Sequence, residues 1–370
     1  MPRFLFAFLL ISHGLIHLMG FAKAFKLAEM AQLVQPISKN AGLFWLAVTV
    51  LFLAAGAFFI FKNENWWMLA LPAALISQTL IFMNWGDAKF GTIANLLVLV
   101  VGVVAFAGWN FDKMADRELK TMLKNNPISE KKVLTKDMIL GLPPVVQKWL
   151  EHSKAIGKDI AQAAHLTQTG QMRTAPDGKW LDVTAEQFNT LNEPAFIWKA
   201  KVEVFPLIFM HARDKYTGGR GNMLVKIAAI FPVADASGAE INQGSMLRFL
   251  SEMCWFPTAI LNKNIVWETV DSTSARATMS FGGVTGSGVF YFNSDGDLVR
   301  FEAKRFYARK EGATLEDWEI VVKNWRDFHD IRLASDCEVH WKLKTGDYLW
   351  LKLEILNLEN NDFEAQTRFF

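Results

Sequence analysis

The chain is 370 residues long, 51% hydrophobic and 21% charged, with 39 basic against 37 acidic side chains. That balance excludes the strong basic excess of a nucleic-acid binder, and the length favours two units over one. Two cysteines, Cys254 and Cys337, exclude a disulfide scaffold and any four-cysteine metal site, and they allow at most one disulfide.

Charge is unevenly spread. Residues 1–110 hold only 6 basic and 3 acidic side chains, which leaves 33 and 34 for residues 111–370. Four uncharged apolar stretches follow one another, at Phe4–Ala22, Leu43–Phe61, Trp66–Asn84 and Thr92–Trp109. A helix of about 20 such residues crosses roughly 30 Å of hydrocarbon, and in lipid a lone segment satisfies its backbone only as a helix. Trp66, Trp67, Trp85 and Trp109 sit at the ends of these stretches, where indole rings favour the headgroup region. The short links at 62–65 and 85–91 impose an up-and-down order, so residues 1–110 are expected to form a four-helix transmembrane bundle. Arg3 before the first stretch and Ala22-Lys23-Ala24 after it resemble a secretory signal. Two histidines inside the stretch and a nearly bare basic region favour a retained helix.

His13 and His17 lie four apart and share a helix face. They are the bundle's metal or haem candidates, although one helix face cannot clamp a haem from both sides. The favoured reading is hydrogen bonding between helices, with Gln78, Asn84 or Asn95 as partner. No cofactor is expected.

Residues 111–136 mix charge, Pro127 and few large apolar groups, and read as a helical or extended linker. Beyond it, residues 137–370 are expected to form a soluble β-rich domain. Pro143 and Pro144 open a short helix carrying Val145, Val146, Trp149 and Leu150. The period then changes to two. Phe196, Trp198, Ala200, Val202 and Val204 alternate with charged residues, as do Val299, Phe301, Ala303 and Arg305. Cys337, Val339, Trp341 and Leu343 follow the same rule, and so do Leu349, Leu351, Leu353 and Ile355. Further strands are expected near 165–174, 180–189, 208–217, 222–231, 265–271, 275–281, 286–293 and 316–324. Turn chemistry at Asn293-Ser294-Asp295-Gly296 and Thr345-Gly346-Asp347 joins neighbours into an antiparallel meander. One helix interrupts it. Ser237 and Glu240 fit a capping box, Met246, Leu247, Phe249, Leu250, Met253 and Cys254 give an apolar face, and Pro257 stops it. The fold class is therefore a membrane helical bundle followed by an antiparallel half-barrel around a helix, α+β and mostly β.

Signatures of catalysis are sparse. Gly218-Gly219-Arg220-Gly221 lacks the Lys-Ser/Thr of a phosphate loop. Gly282 to Gly288 leads into a strand, where glycines bend a wall or make room for a packed group. Arg220, Asp235, Arg248 and Glu252 form the best polar cluster, although Arg248 and Glu252 are also an ordinary i,i+4 pair. Phe249, Met253, Trp255, Phe256, Trp267 and Trp341 line an apolar pocket if the barrel stays open, and are core if it closes.

Several runs resemble a bacterial family of uncharacterised membrane-associated proteins. They are Phe231-Pro232-Val233-Ala234-Asp235-Ala236-Ser237-Gly238, Gln243-Gly244 and Leu250-Ser251-Glu252-Met253-Cys254-Trp255-Phe256-Pro257-Thr258-Ala259. Ser12-His13-Gly14-Leu15-Ile16-His17 and Asp87-Ala88-Lys89-Phe90-Gly91-Thr92-Ile93-Ala94-Asn95 extend the likeness into the bundle. The resemblance implies no activity and no catalytic residue. In architecture, the expected half-barrel is similar to periplasmic lipoprotein carriers, which implies an apolar ligand and an extracytoplasmic domain in a bacterial inner membrane. Lysine and arginine near the stretches, six against four, favour the opposite side by a small margin. The reading taken is a membrane-anchored binder of membrane lipid or another apolar ligand. An interaction or sensing module with a membrane-protein partner comes second, and an enzyme on a lipid or quinone third.

Overall fold

The computed structural model describes residues 2–205, 207–309 and 312–361. It contains two compact units, residues 1–111 with 205–209 and 228–230, and the remainder of the chain.

The first unit contains α1 (Pro2–Ala24), α2 (Lys39–Ile60), α3 (Trp67–Met83), the one-turn α4 (Trp85–Ala88) and the beginning of α5 (Gly91–Asn125). Four helices are long and apolar enough to cross a membrane. Small residues let them approach closely. A methyl on Gly20 would fall 2.2 Å from Trp45 Cδ2, so only glycine fits beneath that indole. Leu10, Val48, Phe52, Ala70, Ala73 and Val98 form a packed interior, while Phe4, Phe44, Leu75 and Ile93 face outward. A bundle apolar both inside and outside is what a lipid surrounding requires.

α5 continues well past the apolar stretch, to Asn125, because residues 111–124 carry the charge and apolar spacing of an amphipathic helix. In the second unit its acidic side chains meet a basic row on the sheet. Asp112 pairs with Lys201 at 2.8 Å, Asp116 with Lys199 at 3.0 Å, and Glu118 with Arg213 at 2.9 Å and Lys215 at 2.7 Å. Leu119 and Met122 pack beside them on Phe188, Ala195 and Ile197.

The second unit continues through α6 (Lys136–Ile139) and α7 (Pro144–His152) into thirteen strands. These are β1 (Ala163–Met172), β2 (Leu181–Thr190), β3 (Ala195–Phe205), β4 (Ile208–Thr217), β5 (Arg220–Ile227), β6 (Phe231–Ser237), β7 (Ile265–Thr269), β8 (Ser274–Phe281), β9 (Val284–Phe292), β10 (Leu298–Arg309), β11 (Gly312–Phe328), β12 (Ile331–Leu343) and β13 (Gly346–Asn360). They make one sheet in the order β6-β5-β4-β3-β2-β1-β13-β12-β11-β10-β9-β8-β7. Every neighbour is a sequence neighbour except at the centre, where β1 pairs antiparallel with β13. The result is an antiparallel half-barrel.

The single strand expected over 222–231 is two strands. Ala228 and Ala229, both at positive φ, turn the chain between β5 and β6, a conformation that apolar alternation does not reveal. The helix α8 (Ala239–Ser251) begins at Gly238, whose φ is 115°, and no side chain caps it. The expected capping box is absent because Ser237 is the last residue of β6, committed to the ladder opposite Asn222. A short 3-10 turn, Glu252–Trp255, prolongs α8. The helix seats on β5, β6, β8, β9 and β10, on the sheet's concave face. At one rim the two arms of the sheet meet. Gly219 in the β4–β5 turn and Gly282 in the β8–β9 turn, both at positive φ, approach so closely that a methyl on Gly219 would lie 2.5 Å from the Gly282 Cα.

Candidate functional site

Strand parity decides which side chains reach the concave face. In β2, Val183, Ala185, Gln187 and Asn189 alternate inward; in β3, Phe196, Trp198, Ala200 and Val202 do so; in β4, Met210, Ala212, Asp214 and Tyr216. Toward one end these positions are small or aliphatic. Val183, Ala185, Ala200, Val202, Met210 and Ala212 form a separate apolar cluster. Among the described residues, every hydrophobic side chain packed on this cluster comes from a strand, none from α8. It is a closed apolar cluster supplied by the sheet alone, none of its members more than 9% exposed.

One step further along the same strands the inward positions become polar. Glu252, 4% exposed, accepts from Arg248 Nε at 2.8 Å through Oε1 and from Gln187 Nε2 at 2.6 Å through Oε2. Arg248 NH1 donates to Asp214 Oδ2 at 2.8 Å, and its NH2 donates to Gln187 Oε1 at 2.7 Å. The guanidinium stacks over Phe196 and Trp198, 4.7 and 5.1 Å from the ring centres. Burial opposes the arginine's charge, but Glu252 and Asp214 more than offset it and hold its pKa above the ordinary value. Trp198 Nε1 donates to Gln168 Oε1 at 2.8 Å, while Gln168 Nε2 is buried with no partner among the described residues. Arg305 enters from the opposite arm, its guanidinium 4.6 Å from the ring centre of Trp318.

Of the four residues expected to cluster, Arg248 and Glu252 do. Arg220 and Asp235 do not; both are exposed, and Asp235 accepts from Asn222 Nδ2 at 3.0 Å. Asp214, Gln187, Asn189 and Arg305 take their places. A polar residue at an inward position of an alternating strand was the available signal for each of them. Phe249, Met253, Trp255, Phe256 and Trp341 are buried in the main core, with Trp267 packed against it, and so form the seat of α8. Cys254 and Cys337 are both free and buried. Burial raises both thiol pKa values, that of Cys337 to about 12.

His13 and His17 belong to a network between helices. His13 Nε2 donates to Asn95 Oδ1 at 2.9 Å, and Asn95 Nδ2 donates to Ser77 Oγ at 2.9 Å and Gln78 Oε1 at 3.0 Å. His17 Nδ1 faces the His13 carbonyl at 2.7 Å, which can only accept, so its Nε2 in the neutral ring accepts from the Ser77 hydroxyl at 2.8 Å. Asn95, one of the three expected partners, is the direct one; Asn84 instead donates to the Leu80 carbonyl. Among the described residues no group of three or more His, Cys, Asp or Glu is placed to hold a metal ion.

No curated protein matches the chain. Solved structures similar to it include a LolA superfamily protein, NE2245, from Nitrosomonas europaea, 13% identical, covering 60% of this chain and 96% of that one at a TM-score of 0.35. A DUF1329 family protein from Desulfovibrio piger is 13% identical and covers 59% of this chain and 92% of its own, at a TM-score of 0.33. Overlap at this level leaves function to be argued from the chain's own residues. The family described as one of unknown function, DUF6544, matches residues 132–353, from just before α6 through most of β13, and the chain belongs to that family.

Proposed function

We propose that the chain is a membrane-anchored binding protein whose half-barrel holds a lipid or another apolar ligand. The observation that carries this reading is the apolar cluster of Val183, Ala185, Ala200, Val202, Met210 and Ala212, on which no helix hydrophobic packs among the described residues, so that a ligand chain entering over the sheet would open it into a recess. A concave apolar surface must be covered by something, and aliphatic side chains that no helix hydrophobic pins to the sheet are the part of that face where a hydrocarbon chain enters at least cost. The polar cluster at its end gives such a ligand an orientation, apolar part along the recess and polar part toward Arg248 and Asp214. Four helices of membrane-crossing length and composition support a site held beside the bilayer from which a lipid would come.

The test is to purify the full chain in mild detergent, record a native mass spectrum, and extract whatever travels with it. A stoichiometric lipid is expected. Ala185 and Ala200 face each other across β2 and β3, so Ala200→Trp should fill the recess and release the lipid while the far-ultraviolet circular dichroism stays unchanged. Equal lipid retention by a folded Ala200→Trp protein would remove the recess as the site.

A further inference from the structure

The charges in the polar cluster are unequally shared. Arg248 takes both nearby carboxylates, Asp214 and Glu252, in direct ion pairs at 2.8 Å. Arg305 takes neither. It lies on β10 at the same parity as the core residues Phe301 and Ala303, and so points to the concave face. There its guanidinium spreads over Trp318, with Trp341 at 5.9 Å, and it packs against the bare backbone of Gly244 on α8, where a methyl would fall 3.0 Å from its Nε. Among the described residues it has no hydrogen-bond acceptor and no carboxylate within ion-pair distance. The ring beneath it carries a second unused donor, since Trp318 Nε1 is buried and has no partner among the described residues.

A half-buried guanidinium with no acceptor keeps its charge and its N–H donors available to a ligand, and a buried indole N–H ordinarily finds an acceptor. Two unpartnered donors side by side, a half-buried guanidinium and a buried indole N–H, on the concave face beside an apolar cluster, fit one kind of group. We propose that Arg305 and Trp318 hold the oxyanion headgroup, carboxylate or phosphate, of a single-chain amphiphile bound in the half-barrel. This rests on the reading of the recess as an apolar site and adds the charge of the ligand. Burial lowers the Arg305 pKa to about 10, the more distant Asp214 and Glu252 opposing and Arg248 reinforcing that shift, so the side chain remains cationic at neutral pH. A guanidinium is suited to the task because its planar fork matches both oxyanions.

The experiment compares three probes with one oleoyl or oleyl chain, namely oleate, oleoyl lysophosphatidate and oleyl alcohol, each titrated into the full chain in one nonionic detergent. At least one anion is expected to bind about tenfold or more tightly than the alcohol, and the better anion identifies the headgroup as carboxylate or phosphate. Arg305→Gln should abolish that preference while leaving the alcohol's affinity unchanged. Trp318→Phe, which keeps the ring under the guanidinium and removes only the N–H, should reduce the preference a few-fold and serves if Arg305→Gln does not fold. Equal binding of anions and alcohol by the wild type, or a preference that survives Arg305→Gln, would overturn the anion site and leave the apolar recess standing. Failure of all three probes to bind would instead overturn the recess itself.

Discussion

Glu252 is the acceptor on which the polar cluster converges, so Glu252→Gln perturbs it with almost no change of volume. The carboxylate accepts from Arg248 Nε at 2.8 Å and Gln187 Nε2 at 2.6 Å, with Asn189 Nδ2 further off at 3.4 Å. A glutamine supplies one acceptor oxygen and one NH2. Whichever way it is turned, the NH2 faces a donor, Arg248 Nε or Gln187 Nε2. One charge-assisted hydrogen bond is lost, worth about 1.5–3 kcal/mol, and a buried donor is left facing another donor at about 1–3 kcal/mol. Asp214 still pairs with Arg248, which keeps the total toward the low end, at about 3 kcal/mol. For a unit of this size about 1 kcal/mol moves Tm by roughly 2–4 °C, so a fall of about 6–12 °C is expected. The assay is thermal unfolding of the full chain in detergent, followed by tryptophan fluorescence, with Arg220→Gln as the exposed control expected to shift Tm by no more than about 2 °C. A Glu252→Gln shift no larger than the control's would refute the reasoning that these donors depend on the carboxylate.

Three further outcomes follow from the same packing. Gly288→Ala would bring a methyl to 2.2 Å from Phe301 Cζ and should cost about 1–3 kcal/mol, partly recovered in Gly288→Ala/Phe301→Leu; a neutral single variant in urea unfolding would contradict the close approach. His165 and His211 are held below the ordinary histidine pKa by burial, with Glu186 and Glu359 opposing for His165 and Asp112 opposing for His211. Because the unfolded chain takes up their protons first, near pH 6.5, the fold loses stability as pH falls below that value, and His165→Phe, keeping a ring stacked on Phe188, should make the decline between pH 7 and 5 shallower. An unchanged slope would mean that His165 titrates alike in both states. Cys254 and Cys337, buried and with raised pKa values, should resist an aromatic disulfide reagent at pH 8 in the folded chain and both react in denaturant; rapid labelling without denaturant would place a thiol at the surface.

The helices and most strands were legible because their signals are local. Uncharged runs of near-spanning length and two-residue alternation each identify an element without reference to anything distant. The turn at Ala228 and Ala229 escaped because positive φ at alanine leaves no mark in a sequence, and the capping box failed because Ser237 had a competing place in a ladder. The polar cluster was half legible for a related reason. Arg248 and Glu252 are helical neighbours, but Asp214 and Gln187 reach them from β4 and β2, and Arg305 faces the same side from β10. Arg305 nevertheless occupies an apolar-parity position in an alternating strand, and the order of residues alone displays that anomaly.

The pairing of β1 with β13 at the centre of the sheet has a consequence for how the protein is made. Each arm is a run of hairpins between sequence neighbours, but the seam joining them brings Ala164 opposite Asn360. Loop closure on that scale precedes the contacts that reward it, so the seam belongs to the slow part of assembly. During synthesis the first arm emerges with the edge of β1 unpaired until β13 has left the ribosome. An unpaired edge of that length invites strand addition by other chains, and a protein built this way depends on late completion rather than on early local stability. Shortening β13 at its end should therefore reduce yield through aggregation of nascent chains before it affects any folded property.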